Sequence, residues 1–550
     1  MRPAGADALV PATLSVWLLL AVAWFATIGI RPLLEPDEAR YAEIPREMAA
    51  SSDWLTPRLN GFKYFEKPPL QYWATAAIYS VFGFSEWAAR FWAFALAFLC
   101  IPMTYAFARH LYESDAAGVA AASALTINPY FAIVGQLNLL DSGFCFFLTA
   151  AIFCFLRAGT AAHEEAAERR WMLLASAALA LAVLSKGVAA LVLVGSVMLI
   201  HLVLTRQPRP WRRWHFGVTV PAFLAITLPW FGAMSVKNPE FPGFFFIHEH
   251  FARYLTTVSD RVEPWWYFGP VVLLALLPWL GCAWPAAREA RVAREWDSRS
   301  SAVAFLAIWC IFVLLFFSAS HSKLATYVMP LMPALAVLLA PTIVRRRNSL
   351  RHAAWAASGI VLVTGVGLLA VAHFKTSRVP ADMAGWVAAA VLLTIGAAAI
   401  AKRRWFLACA GVLLGFQALM VAYTLLPPVR TTKALVSAVR GVIGPETKVF
   451  SVGQYRQSVA PYLGRTLRLV SFRGEMDFGI RHAPAAFVPT VNAFVEEWQH
   501  SADAVAFVEP GVLAELKARN LPMQVIARDG RSVVVVRAPA ADASESEPDT

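Results

Sequence analysis

Leu9 to Ile30 reads LVPATLSVWLLLAVAWFATIGI, 22 residues without a charged side chain, and Arg31 follows at once. A bilayer core needs about 20 apolar residues in a helix, so this stretch is long enough to cross one. It is too long for the apolar region of a cleavable signal, has only Arg2 as a basic flank, and shows no small-residue cleavage site before Arg31. It is therefore expected to stay as a span. Twelve further stretches read the same way, near 87–110, 116–134, 140–157, 171–184, 188–205, 215–235, 267–286, 302–318, 326–344, 354–372, 384–401 and 405–425. The expected fold class is a polytopic α-helical membrane protein with about 13 transmembrane helices.

Composition agrees. Of 550 residues 58% are hydrophobic and 15% charged, with a mean hydropathy of +0.55, whereas a soluble chain is roughly a quarter charged. The 20 Trp and 37 Phe suit aromatic belts at the two bilayer interfaces. The net charge of +12 does not point to nucleic acid, because the basic residues sit in short loops between apolar stretches. All six cysteines lie in apolar runs, which excludes a disulfide framework in the polar C-terminal segment.

Basic clusters on alternate loops set the expected orientation: RQPRPWRRWH (206–215), REARVAREWDSR (288–299), RRRNSLR (345–351) and KRR (402–404). The positive-inside rule puts these in the cytoplasm. Segments 31–86, 135–141, 236–266, 319–325 and 374–383 then face outward, as does everything after the last span. Beyond about 430 the pattern changes. KVFSVG (448–453), TLRLVSF (466–472), AVAFVEP (504–510) and MQVIARDGRSVVVVRAP (523–539) read as strands, the last as a hairpin around Asp529–Gly530. Short helices fit between them. The expected domains are a membrane part at 1–429 carrying the exterior loop 31–86, a soluble α/β or α+β domain at 430–540, and a disordered acidic tail at 541–550.

Chemistry concentrates in the exterior segments. The first loop opens Glu35-Pro36-Asp37-Glu38-Ala39-Arg40-Tyr41 and continues to Tyr64-Phe65-Glu66-Lys67-Pro68-Pro69. It is over 50 residues long and too aromatic to be disordered, which favours a functional loop over a merely solvated one. The two prolines limit the backbone that carries Glu66 and Lys67. Asp141 opens the fourth span; it either caps that helix or faces the site. Lys186 ends the fifth span and either snorkels or binds. His248-Glu249-His250-Phe251-Ala252-Arg253 lies in the 236–266 loop. Its two histidines are spaced i, i+2 and do not share a helical face, but Glu66 with His248 could still hold a divalent metal ion. Lys323 and Tyr327, one helical turn apart, suit an anionic lipid head group, with plain interface anchoring as the competing reading.

Asp-Glu-Ala-Arg-Tyr-Ala-Glu-Ile (37–44), Tyr-Phe-Glu-Lys-Pro-Pro-Leu-Gln-Tyr-Trp (64–73), Glu-His-Phe-Ala-Arg-Tyr (249–254) and Ser-Lys-Leu-Ala-Thr-Tyr-Val-Met-Pro (322–330) resemble the bacterial lipid A aminoarabinose transferases. These are membrane glycosyltransferases of the GT-C class, related to the protein O-mannosyltransferases. The resemblance covers residues 9 to about 425, with the four motifs in order. It implies inverting transfer of 4-amino-4-deoxy-L-arabinose from undecaprenyl phosphate to a lipid A phosphate. The setting would be the periplasmic face of a Gram-negative inner membrane, among membrane lipids, by a monomer. The outcome would be resistance to polymyxin and other cationic peptides.

On that reading Asp37 is the first-choice catalytic carboxylate and Asp141 the second. Lys67, Arg253 and Lys323 meet the departing phosphate, and Glu66 or Glu38 meets the sugar ammonium. Arg40, Tyr41, Tyr64, Lys186, His250 and Tyr327 complete the substrate-binding set. No organic cofactor is expected. An O-mannosyltransferase would need Asp37 as a true base for a hydroxyl acceptor, and the 64–73 motif argues against it. A lipid transporter would show inverted repeats, and no clear internal repeat is seen.

Overall fold

The computed structural model describes residues 14–161, 164–205, 211–252, 263–289, 299–345, 383–401, 404–424 and 430–537. The chain forms two compact units. The first takes in the described residues of Met1–Ile28, Phe65–Gln71 and Arg90–Tyr423; the second takes in those of Gly29–Tyr64, Tyr72–Ala89 and Thr424–Thr550.

Seven helices among the described residues are long and apolar enough to cross a membrane: Glu86–Tyr112, Leu140–Thr160, Arg212–Lys237, Phe268–Arg288, Ser301–Ala319, Ala325–Arg345 and Trp405–Thr424. Shorter apolar helices occupy three more expected spans, at Leu14–Phe25, Ala189–Leu204 and Ala388–Ile400. Helix Glu165–Lys186 covers the expected 171–184 span, and its first turns are charged. The span expected near 354–372 lies outside the described residues.

One expected span divides. Residues 116–134 form two helices, Asp115–Thr126 and Pro129–Val134. Pro129 cannot donate a backbone hydrogen bond, and the Asn128 side chain accepts from Phe131 N at 3.0 Å, starting a new helix there. Neither piece, at 12 and 6 residues, crosses a bilayer alone.

Several polar side chains buried in the first unit bond to main-chain carbonyls. Trp24 Nε1 donates to Phe94 O (3.1 Å), and Gln417 Nε2 donates to Ala23 O and Trp24 O (both 2.9 Å). Near the end of this unit Gly396 and Gly411 let two helices touch backbone to backbone. A Cβ on Gly411 would lie 3.0 Å from Gly396 Cα. All six cysteines are free thiols.

The second unit is built on a six-stranded sheet formed by the C-terminal domain. A short hairpin, β1 (Arg58–Leu59) and β2 (Phe62–Lys63), precedes it. The sheet comprises β3 (Lys448–Val452), β4 (Arg468–Val470), β5 (Phe487–Val488), β6 (Ala504–Val508), β7 (Met523–Arg528) and β8 (Val533–Arg537), in the order β5-β4-β3-β6-β8-β7. The first four run parallel; β8 is antiparallel to β6 and to β7. Phe450 and Val452, Val470, Ala506 and Val508, and Val535 line the core. Helix Val491–Gln499 sets Phe494 and Trp498 one turn apart, so both reach Phe450, at ring-centroid distances of 5.1 and 6.3 Å. The expected hairpin forms at Asp529–Gly530. Asp529 Oδ1 accepts from Arg531 N and Ser532 N, both at 2.7 Å, which folds the turn.

The loop 31–86, assigned by sequence to the membrane part, groups largely with this C-terminal domain. Buried polar contacts account for the grouping. Asn60 Nδ2 donates to Leu467 O (2.9 Å) and Leu467 N donates to Asn60 Oδ1 (2.7 Å). The β1–β2 turn is Asn60–Gly61, both at positive φ (53° and 79°), the conformation such two-residue hairpins require. Gly479, in helix Asp477–His482, abuts this hairpin: a Cβ there would meet Lys63 O at 2.6 Å.

Candidate active site

In the first unit, Asp141 lies in the first turn of helix Leu140–Thr160, where a carboxylate favours the helix dipole, but it makes no cap. Lys186 ends helix Glu165–Lys186, where Gly187 (φ +94°) turns the chain away. The two side chains form an ion pair, and both are largely buried. The Lys186 ammonium also sits 4.6 Å from the Tyr327 ring centroid and 5.7 Å from that of Phe144. Tyr327 belongs to a 3-10 turn, Ala325–Leu331, whose first carbonyl accepts from Tyr130 Oη at 2.7 Å. The structure thus joins Asp141, Lys186 and Tyr327, three residues read separately from the sequence.

Lys67 Nζ donates to Glu66 O (2.8 Å) and pairs with Glu249 Oε2 (3.4 Å). Phe65 meets Phe241 edge to face at 5.5 Å, and Gln71 Nε2 donates to Asn138 Oδ1 at 3.0 Å, which fixes the segment on either side of Lys67. Glu249 lies on a π-helical segment, Gly243–Ala252. His248 Nδ1 faces Glu249 Oε1 at 3.5 Å, and its ring stacks on Phe244. The His250 side chain and Arg253 are outside the described residues. Lys323 Nζ donates to Glu263 O (2.9 Å) and Ser320 O (2.5 Å), which uses two of its three protons on the main chain.

For the divalent-metal expectation, no three His, Cys, Asp or Glu side chains converge as ligands would among the described residues, and His248 faces Glu249.

In the second unit, helix Asp37–Ser51 is buried on almost every face despite its charges. Each charge therefore needs a partner. Glu38 Oε2 accepts from Leu34 N (3.1 Å) and lies 3.8 Å from Arg31, both charges buried. These contacts tie Glu38 to the start of its own helix. Arg40 bridges Asp37 (3.4 Å) and Glu475 of the C-terminal domain (3.3 Å). Asp37 keeps 32% of its side chain exposed and is the accessible member of the group. Tyr41 and Tyr64 are buried; the Tyr41 ring lies 6.3 Å from that of Tyr72.

Further along the helix, Glu43 and Glu47 are buried one turn apart. Arg46 pairs with Glu43 through Nε at 2.7 Å and Nη2 at 2.6 Å. Glu47 accepts from Asn60 N (2.5 Å) and Gly61 N (2.8 Å). Burial, together with the Glu43 charge, pushes the Glu47 carboxyl up to about 8, against the opposing Gly61 amide and Arg46. Burial raises Glu43 as well, partly offset by Arg46.

Residues 435–537 match the family model for the aminoarabinose transferase C-terminal domain, and 13–245 match that for dolichyl-phosphate-mannose-protein mannosyltransferase. The undecaprenyl phosphate-alpha-4-amino-4-deoxy-L-arabinose arabinosyl transferase of Pseudomonas aeruginosa strain UCBPP-PA14 is 33% identical over 366 residues, 65% of this chain and 64% of that protein. The protein of the same name from Yersinia enterocolitica is 32% identical over 329 residues, 59% of this chain and 57% of that one. The chain thus matches somewhat under two thirds of the length of these curated relatives. The crystal structure of ArnT from Cupriavidus metallidurans bound to undecaprenyl phosphate superposes with a TM-score of 0.86 and 31% identity, over 97% of this chain and 99% of that one. The chain belongs to the aminoarabinose transferase family. An archaeal oligosaccharyltransferase, AglB from Archaeoglobus fulgidus, shares the fold alone, at 14% identity and a TM-score of 0.52. The GT-C architecture expected from the sequence is therefore the one observed.

For this aminoarabinose transferase family member, sequence reading missed Glu249, Glu475 and Arg456. Glu249 was legible as the one acid in the otherwise apolar, aromatic run 243–252, between its two histidines. Glu475 and Arg456 carry no local signal; they matter only for what the fold sets beside them.

Proposed function

We propose that this protein transfers 4-amino-4-deoxy-L-arabinose from undecaprenyl phosphate to a phosphate of lipid A, acting as a monomer at the periplasmic face of a Gram-negative inner membrane. The observation that supports this reading best is the near-complete likeness to the Cupriavidus ArnT crystallised with undecaprenyl phosphate. The arginine- and lysine-rich loops 206–215 and 402–404 support the orientation.

In the proposed reaction a lipid A phosphate oxygen attacks the sugar's anomeric carbon. The bond from that carbon to the donor phosphate breaks, its electron pair leaves with undecaprenyl phosphate, and the anomeric configuration inverts. The leaving phosphate is already ionised, so no general acid is needed; cations stabilise the growing charge. Lys67, Lys186, Lys323 and Arg253 are proposed for that task, with Tyr327, Tyr64, Tyr41 and His250 lining the substrates. Asp37 is proposed to stabilise positive charge on the sugar, with Asp141 second in line, and Glu66 to hold its ammonium. A phosphate acceptor arrives deprotonated, so Asp37 orients and stabilises without removing a proton. Each ammonium added to lipid A lowers its negative charge, which weakens binding of polymyxin and other cationic peptides.

The match of 13–245 to the mannosyltransferase model favours one second reading, a polyprenyl-phosphate-dependent transferase with a Ser/Thr acceptor. Mass spectrometry of lipid A from cells with and without the protein decides between them. An added aminopentose that depends on the protein supports the proposal. A purified protein that glycosylates a Ser/Thr peptide and ignores lipid A overturns it.

A further inference from the structure

The acidic segment that carries Asp37 is tied into the C-terminal domain on both sides. Two residues before it, Glu35 is buried, and its carboxylate is saturated. Oε2 accepts from Arg456 Nε at 2.6 Å; Oε1 accepts from Ser458 Oγ at 2.7 Å and Ser458 N at 3.1 Å. Arg456, itself only 3% exposed, carries the link onward. Its Nη1 donates to Ser532 Oγ (3.0 Å) and lies 3.3 Å from Asp529, the residue that folds the β7–β8 hairpin. Ser458 bonds in turn to Thr432, at 2.8 Å to Oγ1 and 2.9 Å to the main-chain N. Three residues after Asp37, Arg40 reaches Glu475, which is also held by Gln457.

A buried ion pair is weak evidence for stability, because desolvation cancels much of its attraction. What such a pair does supply is geometry. An arginine fork can satisfy several acceptors in only one orientation. Glu35 and Arg456 lie 421 residues apart, so the pair joins the first loop to the far end of the chain.

We propose that the C-terminal domain positions Asp37, through the buried Glu35–Arg456 pair on one side and the Arg40–Glu475 pair on the other, and that Arg456 is the central positioning residue. This rests on Asp37 being the carboxylate of the proposed transfer. The domain is then part of the catalytic apparatus without touching substrate. A misplacement of about 1 Å in a reacting group can cost roughly 100-fold in rate.

The test uses the full-length protein in lipid, with an undecaprenyl-phosphate aminopentose donor and lipid A. Arg456→Lys keeps the charge and loses the fork; Glu35→Gln keeps an acceptor for Ser458 and loses the charge. Each is expected to lower kcat at least tenfold while donor KM stays within about twofold and the folded fraction is unchanged. Hydrogen–deuterium exchange is expected to rise at the amides of Ala39 and Arg40, which open the helix and donate to Leu34 O and Pro36 O. Wild-type kcat in both variants, or a loss matched by a lower folded fraction or by unchanged exchange at 39–40, overturns the positioning role. Asp37→Asn separates the two readings. If it transfers at the wild-type rate, the catalytic assignment fails. If it is inactive while Arg456→Lys and Glu35→Gln are normal, the positioning role alone fails.

Discussion

Among the described residues the buried ion pairs of the two units use different cations, although the first unit also buries Arg90, which donates to Ile28 O at 3.0 Å. The first pairs lysine: Lys186 with Asp141, Lys67 with Glu249, and Lys323 with two main-chain carbonyls. The second pairs arginine: Arg31 with Glu38, Arg40 with Asp37 and Glu475, Arg46 with Glu43, and Arg456 with Glu35 and Asp529. A lysine ammonium is a compact point charge with three rotatable donors, so it can meet a carboxylate and a phosphate in turn. An arginine fork holds one planar arrangement. The difference teaches how each unit could give or hold: the lysines suit the phosphate exchange proposed for them, and the arginines suit a frame that stays put.

The largest expected effect falls on the one accessible carboxylate in the arginine frame. Asp37→Asn should lower kcat by roughly 10²–10³-fold, the loss typical of one transition-state charge contact, with the protein still folded. Transfer kinetics on purified variant check it, and an unaltered kcat would remove Asp37 from the reaction.

Next are the lysines. Lys67→Ala and Lys186→Ala should each cost about 2–4 kcal/mol of transition-state stabilisation, the loss expected if each makes the proposed phosphate contact. Lys67→Arg and Lys186→Arg sharpen the comparison. If exchangeability matters as well as charge, the arginine variants should recover only part of the activity. Full activity in both would break the distinction between the two units.

A smaller effect concerns pH. The Glu47 carboxyl is raised to about 8 in the folded protein, so between its unfolded value near 4.5 and 8 the folded state holds a proton that the unfolded state has released. Stability should therefore fall as pH rises through that window, by at most about 1.4 kcal/mol per unit. Melting temperatures from pH 5 to 8 should flatten in Glu47→Gln. A wild-type slope in that variant would assign the dependence to other groups.

The smallest is Asn128→Ala, which removes the cap on helix Pro129–Val134. It should cost about 1 kcal/mol in stability with kcat unchanged. A loss of kcat without a loss of stability would show that the break at Asn128 serves the site directly.

Much of the architecture was readable in advance. The seven long apolar helices, strands β3, β4, β6, β7 and β8 of the C-terminal domain and the Asp529–Gly530 hairpin all follow from local patterns, while the parallel pairing does not. Two local features were legible and not fully read: the first was overlooked, and the second marks the end of the third span but also opens a new helix. Asn60–Gly61 between short extended segments is a strong hairpin signal, and Asn128-Pro129 is a helix start inside an apolar run. Helix Asp37–Ser51 was harder to see. It is buried on nearly every face, so it shows no clear apolar stripe, and its charges look solvated until their partners are known.

By itself, then, the sequence determined the membrane-embedded class, the place of the α/β domain and the acidic and basic residues proposed to carry the chemistry. Each of these is written in a stretch of a few to about twenty residues, the range over which apolar periodicity and turn preferences act. Only the tertiary structure decided which charge meets which. Arg456 finds Glu35 421 positions away, and Lys67 finds Glu249 182 positions away. A lone charge carries no periodic signature of its partner; the cost of leaving it buried and unpaired selects the partner once the chain has folded.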